Sequence, residues 1–225
     1  MNTDSLMTIY RELDRYFGDL QWWPAESKDE VAIGAILVQN VSWSNTEKAI
    51  KRLKEANLLT FRNILLCSQE QMEAFIVSTR FYKTKAQKLI AFATYFISKW
   101  QGDWRLLQQA GLTTARQELL SVWGIGPETA DDILLYAAEL PSFVIDAYTK
   151  RIFTRLGYID EGVRYEELRE WFMRLLPPDV PLYNQFHALI DALGHRICLP
   201  QKPQCPSCPL LLYCGYGQDR VIHQA

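Results

Sequence analysis

Four cysteines, Cys198, Cys205, Cys208 and Cys214, follow the spacing C-x6-C-x2-C-x5-C. Four thiols in one short segment make a poor apolar core and a good cage of soft ligands. Pro200, Pro203, Pro206 and Pro209 run through the same segment and stop it from continuing as a helix. All-thiolate ligation suits zinc or an iron–sulfur cluster. Structural zinc sites usually use two tight C-x2-4-C pairs, and only Cys205 and Cys208 form one here. The spacing therefore favours a [4Fe–4S] cluster, with zinc as the alternative. A disulfide framework fits less well, because nothing else in the chain reads as secreted.

The chain has 225 residues, enough for one large or two small domains with a real core. It is 48% hydrophobic, which excludes disorder, and no apolar run reaches the length of a membrane span. The opening MNTDSLMTIYRELDRYF lacks a basic-then-apolar signal pattern and reads as an amphipathic helix. A cytoplasmic protein is expected, or a nuclear one if the source is eukaryotic. Cys67 lies in an apolar stretch and is expected in the core. The net charge of −2 announces no nucleic-acid partner, so any such binding has to come from a local basic face.

Helical periodicity covers 28–40, 45–57, 69–77, 83–99, 114–122, 127–139, 147–156, 165–176 and 182–197. Ser68, Asp103 and Thr113 suit N-caps, and Pro127 suits a first helical position. Strand-like alternation is scarce, so an all-α protein of about ten helices is predicted. A short extended stretch, ELPSFVI at 139–145, separates two groups of helices.

One stretch departs from ordinary helix punctuation: LLSVWGIGPETADDILLYA, residues 119–137. A helix ends at Trp123, Gly124-Ile125-Gly126 turns, and Pro127 starts a new helix. Two glycines around one apolar residue permit left-handed angles and close approach of another backbone. Amide groups left free at a helix start make an anion site, for which a DNA phosphate is the natural ligand. An ordinary αα-hairpin with a glycine turn explains the same residues.

The hairpin, Asp146 at the end of SFVID, and the cysteine cage occur in one order. Together they resemble the helix-hairpin-helix DNA glycosylases, the endonuclease III-like group, over nearly the whole chain. GIGPETA is similar to the family hairpin and VIDAYTKRIFTRLG to its aspartate segment. The resemblance implies a six-helix barrel domain over 26–138, with the hairpin at 119–137. Residues 1–25 and 139–225 would form a helical domain holding the cluster at 198–214. It further implies a monomer that binds double-stranded DNA containing a damaged base. Gly124, Ile125 and Gly126 would grip the strand, Gln39 would fill the gap left by a flipped base, and Lys202 would meet the backbone.

The departures narrow the chemistry. Endonuclease III carries a catalytic lysine two residues after the second hairpin glycine, and this chain has Glu128 there. A carboxylate cannot form a Schiff base, so the strand-cleaving half of that mechanism is in doubt. An acid in a helix's first turn is also simply favourable. Adenine-specific members place a glutamate five residues before their glutamine; counting back from Gln39 gives Gly34. QWWP at 21–24 and AILVQNVSW at 35–43 are instead similar to the 3-methyladenine DNA glycosylase III branch. Trp22, Trp23 and Trp43 would then supply planes for an alkylated, positively charged base.

Breaking the glycosidic bond builds positive charge on the sugar, which one fixed carboxylate can stabilise while it orients a water. Asp146 is the candidate, and it also suits an N-cap for the next helix; Glu128 is a second acid. Lys48, Lys51, Arg52, Lys83, Lys85, Lys88, Lys150 and Arg151 are further groups for phosphates, although most charge runs are solvated faces. The expected protein is a monofunctional glycosylase for a damaged, alkylated purine. The alternatives are a glycosylase for uracil or oxidised pyrimidines with strand cleavage, and a non-catalytic DNA-binding iron–sulfur protein.

Overall fold

Helix follows helix because the apolar residues recur at helical spacing between well-placed caps. The structure, a computed structural model, describes residues 3–222. Thirteen α-helices appear among them: α1 (Thr3–Phe17), α2 (Lys28–Leu37), α3 (Trp43–Glu55), α4 (Phe61–Ile64), α5 (Gln69–Phe75), α6 (Tyr82–Trp100), α7 (Trp104–Gln109), α8 (Leu112–Leu120), α9 (Pro127–Asp132), α10 (Ala147–Arg155), α11 (Tyr165–Leu175), α12 (Val180–Arg196) and α13 (Gly215–Ile222). No strand occurs among the described residues. The all-α expectation holds, and none of these helices is long and apolar enough to cross a membrane.

The caps explain several boundaries. Ser68 and Gln71 form a reciprocal capping box on α5, and Asp103 accepts from the Arg105 amide at the start of α7. Pro127 occupies the first turn of α9, where its missing N–H is no loss. Thr113 is not a cap: α8 begins one residue earlier, behind Gly111, whose φ of 78° suits a residue without a Cβ. Cys67 is only half-buried, because it follows the short α4 in a turn.

The chain divides into two compact units, Trp23–Leu140 and Met1–Trp22 with Pro141–Ala225. The first is built around α2, whose residues Val31 to Leu37 are all buried. A helix apolar on every face belongs in a core. The buried face of α6 adds Leu89, Phe92, Ala93 and Phe96, and Phe61 packs its ring 5.3 Å from Phe92. Asp29 joins three elements: one oxygen accepts from Trp104 Nε1 at 2.8 Å and the other from the Phe61 amide at 3.1 Å. After α9 the helix widens into a π-helical turn, Ile133–Ala137, a form common near functional sites.

In the second unit, α12 is flanked by α10 and α1. Phe143 stacks on Phe172 with ring centroids 4.1 Å apart, and Phe186 and Tyr183 meet Phe143 edge-on. Gln185 ties α12 to α1 through Asp14 Oδ1 and the Gly18 carbonyl. Gly194 lets α12 approach α10 closely, since a Cβ there would fall 2.5 Å from Tyr148. The extended residues Phe143, Val144 and Ile145 are buried and deliver the chain to Asp146.

Arg116 of α8 holds Asp131 of α9 with two bonds of 2.8 and 3.0 Å, and Asp131 has no exposed surface. Removing the guanidinium would strip these two charged bonds from a buried carboxylate. Arg116→Ala is expected to destabilise the protein by about 3 kcal/mol, measured as a lowered denaturation midpoint.

Candidate functional site

The turn between α8 and α9 is a glycine hairpin. Gly124 has φ 87°, and a Cβ on it would lie 2.4 Å from Lys88 Cγ, so the position needs glycine twice over. Ile125 is 5% exposed and its amide donates to the Val122 carbonyl at 3.1 Å. Gly126 and Glu128 are exposed, as is Trp123 just ahead of the turn.

Gln39 is bonded at both ends of its amide, through the nitrogen to this hairpin and through the oxygen to α6. Its Nε2 donates to Thr129 Oγ1 at 2.8 Å and to the Gly124 carbonyl at 3.3 Å, while Lys88 Nζ donates to its Oε1 at 2.5 Å. In this arrangement the side chain fastens the end of α2 to the hairpin. Burial holds the Lys88 amine below the usual lysine range.

Beside α2 lies an aromatic group. Trp23 meets Trp43 edge-on at 5.2 Å and Tyr136, on the π-helical turn, at 5.4 Å. Gly34 is the floor beneath Trp23, since a Cβ at 34 would stand 3.2 Å from the indole Cζ2. Trp22 is half-buried and belongs to the other unit.

In that other unit, Asp146 caps α10. Its Oδ1 accepts from the Thr149 amide and hydroxyl, both at 2.7 Å, and its side chain is 13% exposed. His187 Nε2, on α12, stands 3.7 Å from Oδ2. Burial works against the charged carboxylate, but His187 and Thr149 outweigh it and hold the acid below its ordinary range. Asp191, one turn along from His187, is pushed up chiefly by burial. His187 was not among the residues singled out from sequence. The available signal was the spacing of His187, Asp191 and His195 along one helix face.

The four cysteines line one small cavity with Arg155, Ile197, Leu211 and Tyr216. Burial and the neighbouring thiols push Cys208 up to about 11, so gathering four thiolates there requires cationic ligand partners. Among the described residues no three such side chains are placed to hold a single metal ion. Four thiols around one cavity are the donor set that zinc or an iron–sulfur cluster takes. Arg155 organises the loop: it donates to Cys198 Sγ at 3.2 Å, to the Leu199 carbonyl at 2.8 Å and to the Pro200 carbonyl at 2.7 Å.

Several basic residues have structural work in place of exposure. Lys85 is buried, donates to the Leu37 carbonyl at 2.7 Å, and is lowered to about 8 by burial and by Lys88. Lys150 donates to the Val163 carbonyl, and Arg151 to the Gly194 and Cys198 carbonyls. Lys48, Lys51, Arg52, Lys83 and Lys202 remain exposed. Phe81, which no sequence pattern marks out, is 59% exposed and has φ 58°. The Arg80 guanidinium lies 4.8 Å from the centre of its ring. An exposed ring beside a cation suits a stacked nucleic acid.

Residues 33–178 match the family model described as HhH-GPD superfamily base excision DNA repair protein. A Methanocaldococcus jannaschii protein, MJ1434, whose name assigns it only provisionally as a DNA repair glycosylase, is 42% identical over 94% of this chain and 96% of its own. Among solved structures, a non-covalent endonuclease III–DNA complex aligns with TM-score 0.83 at 24% identity, covering 99% of both chains. The Helicobacter pylori 3-methyladenine DNA glycosylase bound to 1,N6-ethenoadenine aligns with TM-score 0.75 at 24% identity, over 87% of this chain and 98% of that one.

Gly34 and Trp23 share one space. Gly34→Glu is expected to displace the indole and to destabilise the protein by about 1–3 kcal/mol, with a changed tryptophan emission spectrum. An unchanged spectrum and midpoint would show that the ring does not depend on a glycine floor.

Proposed function

The chain belongs to the HhH-GPD superfamily of base excision DNA repair proteins and is a DNA glycosylase, and we propose that it excises an alkylated purine such as 3-methyladenine without cleaving the strand. The observation that carries this reading is the aromatic group of Trp23, Trp43 and Tyr136 on its glycine floor. Electron-rich ring faces attract an alkylated, cationic base more strongly than a neutral one. Trp22 is assigned to the same binding role on its sequence position beside Trp23.

The reaction is hydrolysis at the sugar C1′. As the bond to the base nitrogen lengthens, positive charge develops on the sugar, and the Asp146 carboxylate stabilises it. Water adds to C1′ and gives its proton to that carboxylate, leaving an abasic site and the free base. A cationic 3-methyladenine takes the bonding electrons and leaves neutral, so departure needs no general acid. Glu128, exposed at the start of α9, is assigned no covalent role, because a carboxylate cannot form the imine that strand cleavage requires. Gly124, Ile125 and Gly126 are assigned to the DNA backbone through the hairpin, and Lys202 through the cysteine loop. Gln39 is assigned to the space vacated by the flipped base, which requires it to leave its bonds with the hairpin.

Cys198, Cys205, Cys208 and Cys214 would hold a [4Fe–4S] cluster whose contribution is to fix the loop that carries Lys202. Cys205→Ala is expected to lose visible iron–sulfur absorbance together with stability and DNA affinity. Lost absorbance with both other properties intact would refute the structural role.

The direct test uses duplexes that each carry one lesion: an alkylated purine, uracil or an oxidised pyrimidine. Release of the alkylated purine, with strand breaks only after alkali, is expected. Asp146→Asn should slow excision by about 10²-fold or more. Borohydride trapping of a covalent protein–DNA complex would overturn the absence of strand cleavage, and preferred release of a pyrimidine would overturn the substrate.

A further inference from the structure

We propose that His187 is a positioning residue for Asp146, fixing its second oxygen and supplying the countercharge that the buried carboxylate lacks. The inference rests on reading Asp146 as the catalytic acid. Thr149 occupies only Oδ1, from its amide and its hydroxyl. Oδ2 therefore depends on what stands behind it, and His187 Nε2 is there at 3.7 Å on a side chain only 7% exposed. That separation exceeds a hydrogen bond yet lies well within the range where an imidazolium and a carboxylate attract. A buried carboxylate held by one oxygen alone would take up a proton on the other as it loses water.

The neighbourhood singles out His187 for this task. Along α12, Asp191 lies one turn on, and His195 Nδ1 stands 3.9 Å from Asp191 Oδ2, toward solvent. His187 acts electrostatically on both Asp191 and Asp146, and Arg196 acts on Asp191 from the same helix. On α10, Tyr148 keeps its proton through burial and the fields of Asp191 and Asp146, while Arg151 is committed to two backbone carbonyls. From α1, Asp14 is bonded to Gln185 and Tyr10 packs on Phe186. From α11, Arg169 is bonded to Ser142. None of these cations is bonded to Oδ2.

Loss of the imidazole should raise the pH at which Asp146 gains a proton, so excision should fail first on the acid side. The experiment is single-turnover excision of an alkylated purine from duplex DNA across pH, for the full-length wild type, His187→Asn, His187→Gln and Asp146→Asn, with denaturation midpoints for each. His187→Asn is expected to move the acid limb upward by about one pH unit, a tenfold loss at mildly acidic pH. Alkaline rates should be less affected. His187→Gln, a neutral donor with longer reach than asparagine, should keep alkaline activity nearer to wild type and retain the displaced acid limb. A profile of unchanged shape in a folded His187→Asn or His187→Gln protein would overturn the inference while leaving Asp146 catalytic. Asp146→Asn with undiminished excision would overturn the underlying reading, and this inference with it.

Discussion

From Val31 to Leu37 helix α2 has no solvated face, and that constraint organises the unit around it. The last carbonyls of any helix lack intrahelical partners, and water cannot serve those of a helix buried on all sides. Lys85 reaches in from α6 to bond the Leu37 carbonyl. One turn further along α6, Lys88 secures Gln39, which in turn fastens the hairpin at Gly124 and Thr129. Two lysines one turn apart on α6 thus serve the buried end of α2 and, through Gln39, the glycine turn between α8 and α9.

The other unit resolves a comparable conflict around a single carboxylate. Asp146 ends a buried extended segment and begins a helix, so its backbone position is set by apolar packing from Phe143 to Ile145. Capping asks for a charged oxygen held in one direction, and the catalytic role proposed for this residue asks for the same. Thr149 meets that demand from the front of the helix and His187 from the neighbouring one. The stability of the α10 start and the readiness of the acid are consequently aspects of one arrangement.

Much of this could be read from the chain alone. Apolar spacing located nine of the helices closely, capping chemistry at Ser68 and Pro127 marked the starts of two of them, and Asp103 marked the short α7 that spacing did not reveal. The cysteine cage and the glycine turn were visible because their residues lie close in sequence. Lys85 and Lys88 looked like members of a basic face, because nothing local reveals that their amines end on Leu37 and Gln39. Gly34 read only as a missing acid, since the indole that fills its space comes from Trp23 in a preceding loop. His187 was hidden for the same reason: the spacing on α12 is visible, but its proximity to Asp146 depends on how α10 and α12 pack.

The contact between Gly34 and Trp23 also limits which descendants this chain can have. A glutamate at position 34 needs the space the indole occupies, and removing the indole first dismantles the aromatic group while no acid has yet arrived. Each single substitution therefore passes through a protein that has lost one chemistry without gaining the other. A ring here and an acid here are therefore alternatives coupled through one contact.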